Sequence, residues 1–283
     1  AASLANLNVL GIIQEPVAAA LAYGVHNEEA LRDEIIMVFD LGGGTFDLTI
    51  FRFTNSPERL LFEVLATGGD DRLGGLDFDE SLADFIKAKA SLNFNGLTVE
   101  NELKAKAALM EAAKEAKEIL SYEEYTDIIK PNILPGQHIE LEITRDDFEG
   151  CIAHYFEKMD SIIDKVIEES SLSRTDISRV IKVGGSSRIP KIDQILSQKI
   201  GDNKIYGDID PDLCVAQGAS IYAAFLDGRI EWSKEIEIQT ATAHALGVEA
   251  ANGEFSTLIP SNRRTPCEVT KVYTLDTDYC EEL

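Results

Sequence analysis

The segment that most restricts the fold of this chain is FDLGGGTFDLTI, residues 39–50, in which two apolar runs flank three consecutive glycines. Alternate side chains of a strand point to opposite faces, so Asp40 lies on the face opposite its apolar neighbours. In the second run, Asp47 shares a face with Thr45 and Thr49. The segment therefore predicts a β-hairpin with one apolar face and one face that carries carboxylates.

The loop of this hairpin, Gly42, Gly43 and Gly44, contains more glycine than a tight turn requires. Bare backbone N–H groups suit a loop that approaches an anion closely, and a phosphate is the obvious candidate. Carboxylates repel a phosphate unless a hard cation lies between them, and Mg²⁺ is commonly held by one or two carboxylates, waters and substrate phosphates. The loop favours a magnesium nucleotide; an ordinary glycine-rich hairpin with solvent-facing aspartates is the alternative.

Composition limits the class of partner. The 283 residues are 45% hydrophobic and 27% charged, which is typical of a globular protein long enough for two packed units. The net charge of −24 works against general binding to nucleic acid or to an anionic membrane, because phosphate groups attract surplus Lys and Arg. We therefore expect neither nucleic acid nor membrane as a partner, while small anions can still bind in local pockets.

The cysteines and the first residues bear on the compartment. Cys151, Cys214, Cys267 and Cys280 form no CxxC pair, so reduced thiols in the cytoplasm are the simplest interpretation. Residues 1–25 have neither the basic start of a signal peptide nor an unbroken apolar run. No methionine opens the chain, which raises the possibility that it is a piece of a larger protein.

The periodicity along the chain predicts an α/β unit with an α+β insertion. Strands are expected at 8–16, 35–41, 46–53, 61–66, 126–130, 139–143 and 180–185. Thr98 is expected to be the N-cap of a helix that ends near Leu120. Further helices are expected at 17–24, at 78–92, from about Asp146 to Glu169, from near Pro190, and from Pro211 to Gly228. Near the C-terminus, Asn252-Gly253 between alternating runs signals a β-hairpin. This tail looks like the start of a separate, incomplete β segment.

VGGSSRIP, residues 183–190, is a second candidate phosphate loop, because a strand delivers two glycines to the start of a helix. A plain strand-to-helix turn is the alternative. Lys114, Lys117 and Ser121 recur at i, i+3 and i+7, so they line one face of the long helix. That face is either part of a ligand site or simply solvated.

Six motifs, in this order and at these separations, resemble the seventy-kilodalton heat-shock chaperone family. They are IIQEPVAAALAYG, FDLGGGTFDLTI, RLGGLDFDESL, AAKEAKEILS, VGGSSRIPKI and IDPDLCVAQGASIYAAF. Actin-like proteins and sugar kinases share a glycine-rich phosphate loop with this family, but not the whole series. The resemblance implies the second lobe of an actin-like ATPase (ribonuclease H-like) fold, with an α+β inserted subdomain.

The resemblance also implies domain boundaries. Residues 1–29 would be the end of the first lobe and a crossing helix, and 30–73 with 152–230 would form the core subdomain of the second lobe. Residues 74–151 would be the inserted small subdomain, and 231–283 the linker and first strands of a substrate-binding β domain. The family's first phosphate loop, catalytic lysine and first metal aspartate belong to an upstream lobe that this sequence does not contain.

The resemblance further implies a site for ATP or ADP with Mg²⁺. The implied nucleotide-binding residues are Gly42, Gly43, Gly44, Thr45, Gly74, Gly75, Lys114, Lys117, Ser121, Gly184, Gly185, Ser186, Arg188 and Asp212. The implied metal residues, acting mostly through water, are Asp40, Glu15 and Asp47. The implied catalytic residues are Glu15, Asp40 and Thr45.

The function implied is that of an ATP-dependent protein-folding chaperone, with unfolded polypeptide clients, J-domain cochaperones and nucleotide-exchange factors as partners. The chain departs from the family at three places. Lys114 stands where the family usually has Glu, Glu118 stands where Arg or an apolar residue is common, and KEIEIQTATAHALGVE replaces an acidic, leucine-rich linker. These departures keep open a non-hydrolysing relative that acts as a nucleotide-exchange factor or binding partner. An actin-type filament subunit is disfavoured by the tail hairpin.

Overall fold

The computed structural model of the chain describes residues 2–26, 33–207, 209–229, 235–250 and 253–273. The helices are α1 (Glu15–His26), α2 (Gly75–Lys89), α3 (Val99–Leu120), α4 (Arg145–Cys151), α5 (Ala153–Glu169), α6 (Pro190–Lys199) and α7 (Cys214–Leu226). The strands are β1 (Asp33–Leu41), β2 (Phe46–Asn55), β3 (Arg59–Asp70), β4 (Tyr125–Leu134), β5 (Gln137–Thr144), β6 (Arg179–Val183), β7 (Ile205–Tyr206), β8 (Glu235–Gln239), β9 (Leu246–Glu249) and β10 (Phe255–Ile259).

A six-stranded mixed sheet in the order β7-β6-β1-β2-β3-β8 forms the centre of the fold. Strands β1, β2 and β3 make the antiparallel meander that the alternating pattern predicts, whereas β6, β7 and β8 run parallel to their neighbours. A parallel neighbour requires a crossover connection, and the long insertion between β3 and β6 provides it. The sheet therefore places the loop after β1 beside the loop after β6.

Apolar side chains on both faces of the sheet are buried, which explains the near-continuous apolar run of β1. On one face, Phe39 and Phe46 pack with residues of α5 and α6. On the other face, Val38 and Phe51 pack with residues of α1. Asp40 and Asp47 alternate onto this second face, where the apolar cluster ends. The carboxylates predicted from the hairpin thus lie at the margin of a core.

A β-bulge in β3 changes which of its side chains lie beside Asp40 and Asp47. Ile50 pairs with Ala66 and Phe51 with Val64, so Leu65 is the additional residue. The bulge turns Thr67 onto the face of Thr49, and the two hydroxyl oxygens lie 3.1 Å apart. The polar strip beside the two aspartates is consequently longer than regular alternation would give.

The insertion between β3 and α5 consists of α2, α3, the β4–β5 hairpin and α4. Thr98 caps α3 as predicted, since its side chain accepts a hydrogen bond from Asn101 N. The expected single helix from Asp146 to Glu169 is interrupted: α4 ends at Cys151, Ile152 leaves the helical conformation, and α5 begins at Ala153. Apolar periodicity continues across this break, which is why the sequence pattern did not show it.

The tail packs against the edge of the sheet through β8, which pairs in parallel with β3. Asn262 ties the segment further, because Thr67 N donates to its Oδ1 at 2.9 Å and its Nδ2 donates to Glu169 Oε2 at 2.8 Å. Strands β9 and β10 form the predicted antiparallel hairpin. Asn252 of its turn lies outside the described residues.

The strand predicted at 8–16 is wrong. Residues 7–14 belong to no helix or strand, and α1 begins at Glu15. A strand requires hydrogen bonds to a neighbour, and none pairs with this segment in the described part of the chain.

The described cysteines, Cys151, Cys214 and Cys267, are free thiols, and Cys280 lies outside the described residues. None of the helices in the ranges described combines the length and the apolar content that crossing a bilayer would need.

Candidate functional site

Three glycine-containing loops meet at the carboxyl ends of β1 and β6. The loop after β3 is bonded to the loop between β1 and β2, because Gly75 N donates to Gly42 O at 3.0 Å and Leu76 N donates to Gly43 O at 2.7 Å. The loop after β6 lies on the other side, where Gly184 N donates to Pro211 O at 3.0 Å. Backbone alone forms most of this junction.

Two of the glycines are required by this contact. A Cβ atom on Gly74 would lie 2.5 Å from Gly44 N, which leaves no space for any side chain. Gly184 has φ +80°, and a Cβ atom there would lie 2.4 Å from Leu41 O. L-residues rarely adopt that φ, so a side chain at 184 would be strained as well as crowded. The glycines therefore allow the loops to approach one another closely.

The loop between β1 and β2 presents free donors. Within the described residues, the N–H groups of Gly43 and Gly44 donate to no acceptor, whereas Gly42 N donates to Thr45 O at 3.1 Å. A Cβ atom at either free position would meet nothing within 4 Å, so both residues face open space. Exposed consecutive amides of this kind form a concavity suited to an anion.

A cavity of about 390 Å³ lies beside this loop, within the range of about 300–1,000 Å³ typical of small-ligand pockets. One wall is the end of α3 and the other is the segment after Gly184. Its lining residues include Gly43, Lys117, Glu118, Ser121, Tyr122, Gly185, Ser186, Arg188, Ile189 and Asp212. We call it the glycine-loop cavity.

Arg188 is fixed at the rim of the glycine-loop cavity by two carboxylates. Its Nη2 donates to Asp210 Oδ1 at 2.8 Å and to Asp212 Oδ2 at 2.9 Å. The hydrogen bond to Asp212 raises the pKa of Arg188, partial burial opposes the shift, and the charges of Asp212 and Asp210 add to it. The guanidinium is therefore held in one orientation, with about a third of its side chain open to solvent.

Lys117 joins the two helices of the insertion beneath the cavity. Its Nζ donates to Gly75 O at 3.0 Å and lies 2.7 Å from Asp79 Oδ1. Both side chains are buried, at 11% and 4% exposure, and Asp79 Oδ1 makes no hydrogen bond of good angular geometry, so the contact is chiefly electrostatic. Burial raises the pKa of Asp79 and the ammonium of Lys117 partly offsets it. These contacts hold the start of α2 to α3.

The acidic residues line a second cavity of about 360 Å³ on the other side of the hairpin, which we call the carboxylate cavity. Glu15, Asp40 and Asp47 border it, together with Thr49 and Thr67 from the polar strip. Glu15 is the first residue of α1 and is exposed. Two alanines of the tail, Ala241 and Ala243, also line it.

Burial and like charge disfavour the ionised forms of Asp40 and Asp47. Burial raises the pKa of Asp40 to about 6, and the charges of Glu15 and Asp47 add to the effect. The pKa of Asp47 is also raised, mainly by partial burial although the residue has an exposed side, while a hydrogen bond from Thr45 opposes the shift. A cation at this position would remove the repulsion.

The oxygen donors that border the carboxylate cavity suit Mg²⁺ in their chemistry, but they are few. Asp40 and Asp47 supply hard oxygen donors that repel each other without a cation. However, in the ranges that the structure describes, no three acidic, cysteine or histidine side chains are close enough to bind one ion together. A metal here would therefore rely on one or two carboxylates, waters and ligand phosphates, which is the usual environment of Mg²⁺.

Comparison with known proteins decides the family. A family model described as Hsp70 protein matches residues 1–283. The chain belongs to the Hsp70 family. The resemblance drawn from the six motifs is confirmed, and so is the actin-like ATPase fold class. Hsp70 proteins are chaperones and nucleotide-binding ATPases that generally use ATP or ADP with Mg²⁺.

In this Hsp70 chain, the residues predicted for nucleotide and metal divide between the two cavities. Seven line the glycine-loop cavity: Gly43, Lys117, Ser121, Gly185, Ser186, Arg188 and Asp212. Glu15, Asp40 and Asp47 line the carboxylate cavity. Gly42, Gly44, Thr45, Gly74, Gly75 and Gly184 belong to the loops between them. Lys114 is exposed and lies outside the lining of both.

The sequence did not indicate four residues of the candidate site. Tyr122 and Ile189 line the glycine-loop cavity, Asp210 fixes Arg188, and Asp79 pairs with Lys117. Asp79 could have been found, because an aspartate between Phe78 and the apolar run of α2 interrupts a face that is otherwise buried. No sequence signal marks Tyr122, which follows the C-cap Ser121 of α3.

Proposed function

We propose that this chain is the nucleotide-binding part of an ATP-dependent protein-folding chaperone, which holds ADP or ATP with Mg²⁺ where the three glycine loops meet. The observation that carries the proposal is the free N–H pair of Gly43 and Gly44, located between a cavity for an organic ligand and a cavity bordered by carboxylates. A nucleotide with its metal has these same three parts, namely a base with ribose, phosphates and a cation.

The phosphates would bind at the loop between β1 and β2. Gly43 and Gly44, within the loop from Gly42 to Thr45, provide the free amides, and Gly74 and Gly184 keep the neighbouring loops close enough to shape the concavity. Phosphoryl transfer depends on positioning and charge stabilisation rather than on covalent protein chemistry. Thr45 is assigned to the γ-phosphate, and its hydroxyl is close enough to Asp47 to lower the pKa of that carboxyl.

The adenosine part would occupy the glycine-loop cavity, between α3 and the segment after Gly184. Lys117, Ser121 and Gly185 line it, and Arg188 lies at its rim with Asp212. Ser186 is close to the loop after β3, since a Cβ atom on Gly75 would lie 2.5 Å from its Oγ. Lys114 lies outside this lining, so we assign it at most a long-range effect on the ligand.

Asp40, Glu15 and Asp47 would hold Mg²⁺, mostly through water. When bound, the cation would neutralise charge on the phosphates. Without it, the raised pKa of Asp40 leaves this carboxyl partly protonated near neutral pH. Catalysis would rest on Glu15, Asp40 and Thr45.

The structure supports the proposed domains as follows. The core subdomain, 30–73 with 152–230, contains the central sheet except β8, and the inserted subdomain, 74–151, begins at the N-cap Gly74 and ends at the break before α5. Residues 1–29 would include α1, and 231–283 would include β8 to β10. Residues 1, 27–32, 208, 230–234, 251–252 and 274–283 lie outside the described ranges.

In the family, unfolded clients and cochaperones are general partners. For this chain we propose unfolded polypeptides as clients, with J-domain cochaperones and nucleotide-exchange factors as regulators. The cytoplasm is the proposed compartment, since the free cysteines suit a reducing environment.

Two features of the glycine-loop cavity favour a second candidate, a non-hydrolysing relative that acts as an exchange factor or binding partner. Glu118 places a carboxylate in the glycine-loop cavity, and Lys117 is already paired with Asp79. Both features weaken the attraction for an anionic ligand. A single-turnover ATPase assay on a longer protein that includes an upstream lobe separates the candidates, because only the first predicts phosphate release.

Nucleotide binding itself is tested by a thermal-shift titration of the 283-residue chain with ADP, ATP and GTP at saturating Mg²⁺. Ligand at about one hundred times its dissociation constant should stabilise the fold by about 2.7 kcal/mol. In Gly185→Val, the added side chain enters the cavity beside Asp212, so the shift should be lost.

Gly207→Val is the matched control, because Gly207 has open space around it and lies outside the cavity lining. It should keep the full shift. If no nucleotide stabilises the wild-type chain, the proposed function is wrong. If Gly185→Val keeps the shift, the nucleotide binds elsewhere.

A further inference from the structure

Tyr122 is an aromatic side chain in an unusual position, on the wall of the glycine-loop cavity with 71% of its surface exposed. Its backbone is fixed by the last turn of α3, since Tyr122 N donates to Ile119 O at 2.9 Å and Glu123 N donates to the same oxygen at 2.8 Å. The side chain is therefore anchored at the end of α3, and its ring belongs to the groups that line the cavity.

The other cavity-lining side chains of α3 cannot supply such a face. Lys117 is paired with Asp79, and Ser121 Oγ donates to the backbone oxygen of Lys117 at 3.1 Å. Glu118 offers only a carboxylate. Among the described residues that line this wall, Tyr122 is thus the one with a flat apolar surface.

The opposite wall complements a planar ligand. Arg188 presents a guanidinium that Asp210 and Asp212 hold in place, and the buried Ile189 closes the cavity beside it. Guanidinium planes and aromatic rings both stack on planar groups. A planar ligand that entered between Tyr122 and Arg188 would find a stacking surface on each side.

We propose that Tyr122 is a base-binding residue, whose ring stacks on the nucleobase of a nucleotide in the glycine-loop cavity, opposite Arg188. This inference rests on the proposed function, because it requires a nucleotide in that cavity. The base thereby gains contact area at little conformational cost, since a Tyr side chain has two rotatable angles. Stacking uses the π-face common to every base, so Tyr122 strengthens binding of adenine and guanine nucleotides alike.

The test compares the affinities of ADP, GDP and inorganic pyrophosphate by isothermal titration of the 283-residue chain and its variants. Base–aromatic stacking is worth about 1–3 kcal/mol, which corresponds to about 5- to 150-fold in affinity. Tyr122→Leu should lose that factor for ADP and GDP and keep the wild-type affinity for pyrophosphate, which has no base. Tyr122→Phe should keep the affinity for all three ligands within about twofold, because the ring is preserved.

Tyr125→Leu is the matched control, since Tyr125 is 61% exposed at the start of β4 and lies outside the cavity lining. It should bind as the wild type does. An NMR spectrum of bound ADP adds a direct signal: ring currents should move the adenine H2 and H8 resonances upfield in the wild type and not in Tyr122→Leu.

The failures of the two proposals are distinguishable. If the wild-type chain binds neither ADP nor pyrophosphate, the proposed function fails and the inference with it. If the wild type binds ADP and Tyr122→Leu binds it equally well, only the role of Tyr122 is overturned. A parallel loss of ADP and pyrophosphate affinity in Tyr122→Leu also overturns it, because the residue would then act on the cavity as a whole.

Discussion

Asp40 and Asp47 lie directly opposite each other on the antiparallel β1–β2 ladder, one residue pair before the glycine loop. Like charges at directly opposed positions destabilise a sheet. The arrangement therefore lowers the stability of the hairpin unless a proton or a cation reduces the repulsion. The two aspartates that would hold a metal therefore also make the stability of the hairpin depend on pH.

We predict that Asp40→Asn stabilises the chain at pH 7.5 in the absence of Mg²⁺. The pKa of Asp40 is about 6 in the fold against an ordinary value of 3.8, so the folded state binds the proton more tightly. The free energy of unfolding of the wild type should thus fall as pH rises between these values. Above pH 6, the free energy of unfolding of Asp40→Asn should exceed that of the wild type by up to about 3 kcal/mol.

Urea unfolding of both proteins at pH 4.5 and 7.5 measures this effect. The gap between Asp40→Asn and the wild type should widen as pH rises, whereas exposed Asp84→Asn should track the wild type. A gap that stays constant over this range would show that Asp40 is ionised in the fold throughout.

The contact between the glycine loops makes a second prediction. Gly74→Ala places a Cβ atom 2.5 Å from Gly44 N and should lower the free energy of unfolding by about 1–3 kcal/mol. Gly43→Ala meets nothing within 4 Å and should leave stability within about 0.5 kcal/mol, while weakening ADP binding at the free amides. Chemical denaturation and ADP titration of both variants check this, and equal stabilities would refute the close contact.

The pair of Lys117 and Asp79 makes a third prediction. Lys117→Met leaves a buried carboxylate without its partner and should cost about 3 kcal/mol at pH 7.5. The cost should shrink at pH 5, because burial raises the pKa of Asp79 and protonation removes the unpaired charge. Lys104→Met, which breaks an exposed pair with Glu100, should cost less than about 0.5 kcal/mol. Chemical denaturation at pH 5 and pH 7.5 measures these losses of stability. If Lys117→Met and Lys104→Met lower the free energy of unfolding equally, the account is contradicted.

The tail makes a fourth prediction. Asn262→Ala removes the acceptor of Thr67 N and the donor to Glu169, so the amide of Thr67 should exchange about tenfold faster. Exchange at Val38, in the middle of β1, should not change. Unaltered exchange at Thr67 would mean that Asn262 does not hold the amide of Thr67 in solution.

The fold was largely predictable because local patterns determine much of it. Alternation gave the three-stranded meander and put Asp40 and Asp47 on one face, and the N-cap Thr98 fixed the start of α3. The candidate site could not be predicted from local patterns alone, since glycine pairs are also common in ordinary turns. Only the order of six motifs tied the loops of Gly43 and Gly184 to one ligand.

The remainder depends on tertiary contacts that a sequence pattern does not show. The bulge at Leu65, which brings Thr67 beside Thr49, leaves no mark on the apolar pattern of β3. The segment before α1 alternates like a strand, yet a strand also needs a partner, and none pairs with it in the described ranges. Tyr122 enters the cavity because of where α3 ends relative to Arg188.

The central claim is that one nucleotide is bound by all three glycine loops. Amide hydrogen exchange of the 283-residue chain, with and without saturating ADP and Mg²⁺, tests it most directly. We predict slower exchange at Gly43 and Gly44, whose amides are free in the structure, together with residues 74–76 and 184–188, and no change in the β4–β5 hairpin. Protection that misses Gly43 and Gly44, or that is confined to one of the three loops, would contradict the account.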